Sequence, residues 1–456
     1  MNVPNRSTRT CLILLCFVAV GAPAQTFTTL ANFNGGNGCY PMYTTLAQGF
    51  DGNFYGTTTP KGGGPQQNGG SVFTMTPEGS LTVLHSFGSP EGNPGAGVVL
   101  AADGSFYGNA ANEGGPPSCG ILYNISPGGT FTLLHRFDTN DGCNPYATPV
   151  QATDGNLYGT TRAGGANGYG TVFTMTPGGT LTTLHSFDSS DGNAPYGALL
   201  QAANGDLYGT TNQGGANGYG TIFETTPEGA LTTLHNFDST DGATPYAGLI
   251  QATNGRLYGT TWNGGAHGYG TIFNVTPEGT LTTQKSFIPS DGVRPNAPLV
   301  QATDGKFYGV TDRGGAHGDG TIFRMAADGK LKALYSFDTK FGSEGGLTQG
   351  TDGNLYGTTF DGGPDDCGTV FRLAVGLGPF VKTVPGSGAA GAAINILGTN
   401  LSAATGVEFN GTAAAFTIVS STQITATVPA GAATGTVQVT MPGSTLSSNV
   451  AFRVTP

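Results

Sequence analysis

Charge is scarce in this chain, where Asp, Glu, Lys and Arg together supply only 10% of 456 residues. Coiled coils and long solvated helices need abundant Glu, Lys and Leu, so they are excluded. Positive charge is scarcer still: 17 Lys and Arg stand against 28 Asp and Glu, a formal net charge of −11. Nucleic acid and anionic membrane surfaces are therefore poor partners. Six Cys and six His occur without the close Cys/His spacing of a zinc site. No apolar run reaches the roughly 20 residues that cross a bilayer. Also missing are a Ser nucleophile elbow, a zinc-protease helix and a phosphate loop.

What is present points one way. Gly supplies 79 residues and Pro 27, with 37% apolar and 10% aromatic content. Glycine at this density is costly inside helices, no Gly-X-Y triplet runs through it, and the apolar share argues against disorder. An all-β protein with many tight turns remains. Residues 1–24 read as a signal peptide: Arg6 and Arg9 form a positive region, Cys11 to Val20 an apolar core, and Ala22-Pro23-Ala24 a cleavage site. Its removal would make the protein more acidic still, and implies a secreted, extracellular or cell-surface location, or the periplasm.

Repetition organises the rest. Leu-Tyr-Gly-Thr-Thr or a close variant recurs with its tyrosine at Tyr55, Tyr107, Tyr158, Tyr208, Tyr258, Tyr308 and Tyr356. A complete unit contains four strand-like stretches, best seen at residues 196–202, 206–211, 220–225 and 231–237, with Asn204-Gly205 reading as a type I′ hairpin between the first two. Four short antiparallel strands per 40–50 residues predict a β-propeller blade. The seventh unit lacks a fourth strand, while residues 27–33 match a fourth strand and have no first three before them. The deficit equals the surplus, so the chain start should close a seven-bladed ring and leave no open sheet edge.

Four cysteines remain after residue 24. Cys119 and Cys367 each precede a third strand, while Cys39 and Cys143 each lie in a loop leaving a fourth strand. Pairing Cys119 with Cys143 and Cys39 with Cys367 repeats one geometric relation, and each bridge could contribute about 2–4 kcal/mol.

Motifs such as Leu157-Tyr-Gly-Thr-Thr161, Gly164-Gly-Ala-Asn-Gly-Tyr-Gly-Thr171 and Leu181-Thr-Thr-Leu-His-Ser-Phe187 resemble the Gloeobacter/Verrucomicrobia-type tandem repeat of secreted bacterial proteins. The resemblance covers about residues 26–375 and implies a secreted or surface setting, with no activity to carry over. Beyond it, Val384-Pro-Gly-Ser-Gly388, Ile394-Asn-Ile-Leu-Gly-Thr-Asn-Leu401 and Val407-Glu-Phe-Asn-Gly411 resemble an IPT/TIG domain, an immunoglobulin-like sandwich used as a spacer or binding module. The expected division is a signal peptide at 1–24, a propeller at 25–375, a linker at 376–379 and a sandwich at 380–456.

Function should lie on the propeller face bearing the longer, more varied loops. There the dipeptide before each Gly-Gly differs in every blade, which suits a recognition ring. Its candidate ligand-binding residues are Lys61, Glu113, Arg162, Asn212, Trp262, Asp312, Arg313 and Asp361. The expected ligand is a glycan or an extracellular protein, and the protein is expected to be monomeric. An alternative is a polysaccharide hydrolase or lyase using Asp312, Asp319, Asp361, Asp365 and Asp366, since paired carboxylates can divide acid and base roles. No cofactor or metal is expected; loops such as Asp188-Ser-Ser-Asp-Gly192 make calcium a minority alternative, lacking the full ligand alternation and terminal Glu. His85, His135, His185 and His235 recur too often to be catalytic and read as packing or hydrogen-bonding residues.

Overall fold

The structure, a computed structural model, describes residues 25–60, 69–88, 91–111, 119–338 and 342–455. The proposed signal peptide, Lys61 and Glu113 lie outside them. Seven antiparallel sheets form the blades of a β-propeller, six of four strands and one of five. In the third blade the strands run Val150–Gln151, Leu157–Thr161, Thr171–Met175 and Leu181–Ser186 from inside to outside. The second and third strands are almost wholly buried, as expected for strands covered by neighbouring blades on both faces.

Ring closure follows the arithmetic of the repeat. Strand Thr26–Asn32 pairs antiparallel with Thr369–Ala374 of the seventh blade, Thr26 opposite Ala374 and Asn32 opposite Thr369. Phe27 on this strand stacks on Tyr335 of blade six, ring centroids 4.0 Å apart. Disulfides join Cys39 to Cys367 across the seam and Cys119 to Cys143 within the ring.

Two local expectations are corrected. The first strand of each unit shrinks to two residues, Leu200–Gln201 in blade four, because the preceding stretch turns along the wall of the axial channel. There Gly197 lies so close to the next blade that a Cβ on it would come 2.7 Å from the backbone of Ala247. The Asn204-Gly205 hairpin is not type I′, since only Gly205 has positive φ, at 100°. Type I′ requires positive φ at both central residues. Asn204 instead accepts a hydrogen bond from the Asp206 N–H through Oδ1, an Asx turn that holds it outside the left-handed region.

The C-terminal unit is a β-sandwich. Two four-stranded sheets, one built on Ala393–Leu397 and Gln423–Thr427 and the other on Gly406–Phe409 and Val437–Met441, enclose Ile394, Ile396, Val407, Phe409, Ile424 and Val439. It docks on the hairpins joining first to second strands. Thr422 Oγ1 donates to Phe50 O at 2.7 Å, Asn395 Nδ2 to Ala102 O at 3.2 Å, and Arg453 Nη1 to Ala203 O at 2.7 Å. That face of the ring is therefore engaged by the sandwich, and the face carrying the variable loops lies opposite.

Candidate functional site

On the variable face each fourth strand returns to the axis through a segment whose inner tip carries one residue per blade. In blades three, four and five the tip is Pro145-Tyr146, Pro195-Tyr196 and Pro245-Tyr246. Proline fixes the approach by locking φ, so the tyrosines repeat one orientation. Tyr146 and Tyr196 lie 5.4 Å apart between centroids, and Tyr196 and Tyr246 5.1 Å. Tyr43 occupies the corresponding place in blade one, Gly95 in blade two, Asn296 in blade six and Glu344 in blade seven. All seven line an axial pocket of about 130 Å³. Its floor is made of small and aliphatic groups, among them Ala147, Ala198, Leu199 and Leu249.

The variable dipeptides surround this collar. Arg162 reaches over the Tyr196 ring, its Cζ 5.4 Å from the centroid. Trp262 is part-buried and meets Tyr246 edge-on at 5.5 Å, and its own face is covered by Arg294 at 4.7 Å. A sugar stacking flat on Trp262, the role that an isolated tryptophan suggests, would have to displace Arg294. Asn212 is buried at 2% exposure and its Nδ2 has no hydrogen-bond partner. Phe360 stacks on Tyr40 at 4.8 Å, forming one wall of a side groove of about 430 Å³ that shares Tyr43, Gly95 and Tyr146 with the axial pocket. The groove exists because blade two has no tyrosine tip: a Cβ on Gly95 would fall 2.7 Å from the Tyr146 ring.

Acidic residues of blades six and seven divide into two groups. Asp312 and Asp361 are buried, at 7% and 4% exposure. Arg313 Nε lies 3.6 Å from Asp312 Oδ2, yet burial still raises the Asp312 carboxyl above its usual range. Glu344 is pushed up to about 7, first by burial, then by the Asp312 carboxylate and, more weakly, by Asp361, with Arg313 opposing. Asp365 is exposed and Asp319 and Asp366 are partly exposed. The carboxylate that sequence reasoning missed is thus Glu344, and the missed aromatics are the tip tyrosines. The repeated Pro-Tyr pairs and their departures to Asn296 and Glu344 carried that signal.

The Asp-x-x-Asp-Gly loops serve the scaffold. Asp188 Oδ1 accepts from the N–H groups of Ser190 and Asp191, and Asp191 Oδ2 lies 2.7 Å from His185 Nε2. The same histidine–carboxylate pair recurs at His135–Asp141 and His235–Asp241, and as Lys285–Asp291. Among the described residues no group of three or more His, Cys, Asp or Glu is arranged to hold a metal ion.

The Gloeobacter/Verrucomicrobia repeat pattern matches residues 17–147, 94–299 and 248–414. The chain belongs to the Gloeobacter/Verrucomicrobia repeat family. In this family member the repeat is followed by an IPT/TIG domain, matched at residues 379–454. No curated protein matches it by sequence. Among solved structures, a fungal alcohol oxidase of the AA5 family, in complex with copper, is similar with TM-score 0.54 and 15% identity, over 92% of this chain and 98% of that one. An extracellular domain described as part of a hybrid two-component system of B. thetaiotaomicron is similar with TM-score 0.51 and 12% identity, over 94% of this chain and 58% of that one. At such identities the likeness shows the fold alone.

Proposed function

We propose that this repeat-family member is a secreted or cell-surface binding protein that recognises an extracellular glycan or protein through the axial pocket and side groove of the variable face. One observation carries the reading. The face opposite the docked sandwich presents a pocket whose rim changes from blade to blade while its frame repeats, with four tyrosines at the mouth. Aromatic rings with a polar tip supply contact area and hydrogen bonds at low entropic cost. Disulfides at Cys39–Cys367 and Cys119–Cys143 fit an oxidising compartment.

Retention on an immobilised glycan panel and on extracellular protein fractions tests it. Tyr196→Ala and Tyr246→Ala should abolish retention, while Lys330→Ala, on an exposed hairpin of the opposite face, should leave it intact. Retention unaffected by both tyrosine changes would overturn the proposal.

A second reading, polysaccharide cleavage, is favoured by one observation: Glu344, held near 7 beside Asp312, suits a general acid at neutral pH. It requires reducing ends or unsaturated products to appear, and Glu344→Gln to abolish them without loss of retention.

A further inference from the structure

The polar atoms at the pocket mouth are unevenly matched. Glu344 Oε2, Asn296 Oδ1 and Asp312 Oδ1 are each buried without a hydrogen-bond partner. Glu344 and Asn296 line the axial pocket directly, and Asp312 stands behind Glu344 with more than nine-tenths of its surface covered. Buried acceptors left unmatched cost about 1–3 kcal/mol each, so a ligand that brings donors is favoured. The groups acting on Glu344 add to this: its own carboxyl, Asp312 and Asp361 stand against the single guanidinium of Arg313, while Arg294, which also acts on Asp312, is drawn over Trp262. The other side of the mouth is aromatic, from Tyr43, Tyr146, Tyr196 and Tyr246. Tyrosine faces attract cations as well as the C–H faces of sugar rings.

We propose that the axial pocket takes the terminal residue of an amino-sugar glycan, its free ammonium donating to Glu344 and Asn296, with the following residues leaving over the Tyr40–Phe360 groove. The assignment rests on the recognition role above and names its ligand class. A glycan fits better than a lysine side chain for two reasons. The pocket opens laterally into a groove lined by Tyr40, Pro60, Pro94 and Phe360, a series of flat apolar surfaces suited to successive pyranose rings. The pocket itself, at about 130 Å³, is lined by Ala147, Ala198, Leu199 and Leu249 as well as the tyrosines, an apolar wall that suits the C–H face of a sugar ring. Burial and neighbouring carboxylates hold the Glu344 proton on up to about 7, and an ammonium beside it would favour the ionised form.

Calorimetry at pH 7 with the whole mature protein tests the assignment, using glucosamine hexamer, N-acetylglucosamine hexamer, cellohexaose and hexalysine as probes. The glucosamine hexamer should bind at least 10-fold tighter than both neutral hexamers, and Glu344→Gln should remove that preference. Tyr146→Ala should weaken all sugar probes by 10-fold or more, and Lys330→Ala should change none. Since Glu344→Gln removes an unfavourable buried charge, it should fold at least as well as the parent, so its loss of preference would not reflect misfolding.

Equal binding of the three hexamers, or a preference that survives Glu344→Gln, overturns the ammonium assignment. Hexalysine binding as tightly as the glucosamine hexamer overturns the glycan class. Neutral glycans held through Tyr196 and Tyr246 with no ammonium preference would leave the recognition role standing and remove only this inference. Absence of binding by every glycan would remove this inference, and the recognition role would fall with it only if no extracellular protein fraction were retained either.

Discussion

The backbone N–H of Thr351 in blade seven donates to Oε1 of Gln48 in blade one at 3.0 Å, across a sequence separation of 303 residues. The same bond links Ala102 to Gln151, Thr153 to Gln201, Ala203 to Gln251, Thr253 to Gln301 and Thr303 to Gln349. Each glutamine also donates through Nε2 to a glycine carbonyl of its own hairpin, as Gln201 does to Gly205 at 2.9 Å. One side chain therefore fastens a blade to its predecessor and braces its own turn. Only the step from blade one to blade two departs, where Leu100 takes the place of glutamine.

Replacing Gln48 by Leu should lower stability by about 1–3 kcal/mol, because the buried Thr351 N–H loses its acceptor. Chemical denaturation of the variant checks this. An unchanged midpoint would mean that water serves Thr351 equally well.

The closing strand gives a second expectation. Without Thr26–Asn32 the outer edge of the Thr369–Ala374 strand is bare, so a chain starting at Gly35 should melt lower and self-associate. Phe27→Ala, which keeps the backbone pairing but removes the stack on Tyr335, should cost about 1–2 kcal/mol and leave the association state of the parent unchanged. Size-exclusion chromatography with thermal melting separates the two.

Stability should also depend on pH through Glu344. Its carboxyl is raised from 4.5 to about 7 on folding, so the folded state holds a proton that the unfolded state has released. This residue's contribution is complete below about 4.5 and is lost as the pH rises to 7, amounting to about 3 kcal/mol at most. Tyr43, Asp312, Arg313 and Asp361 are the charged or titratable groups facing it. Glu344→Gln should raise the melting temperature at pH 8 and have little effect at pH 4. A parallel shift at both values would assign the effect to packing.

Trp262 acts through its neighbours. Removing it should release Arg294 and leave Tyr246 without its edge contact, so Trp262→Ala should weaken ligand retention several-fold while Trp262→Phe restores most of it. Full loss in both variants would point instead to direct contact between ligand and indole.

Seven blades, their four strands, the closing segment and the two disulfide partnerships were legible in the sequence, because a tandem repeat states its geometry once per period and its ends reveal what is missing. Local chemistry was legible wherever partners lie within a few residues, as with Asp188 and the turn it caps. The axial pocket was not legible. Tyr146, Tyr196 and Tyr246 are about 50 residues apart along the chain and meet only because the ring brings every blade's inner tip to one axis. Closure likewise decides that Glu344 faces Asp312 and Tyr43, from blades six and one, and is buried enough to keep its proton. Tertiary structure also decided which acidic residues lie inside: Asp312 and Asp361 sit at the buried ends of second strands, whereas Asp365 lies farther out on its loop in water. Composition cannot separate them, because a carboxylate's role follows from its distance to the axis and its exposure, and both are properties of the closed ring.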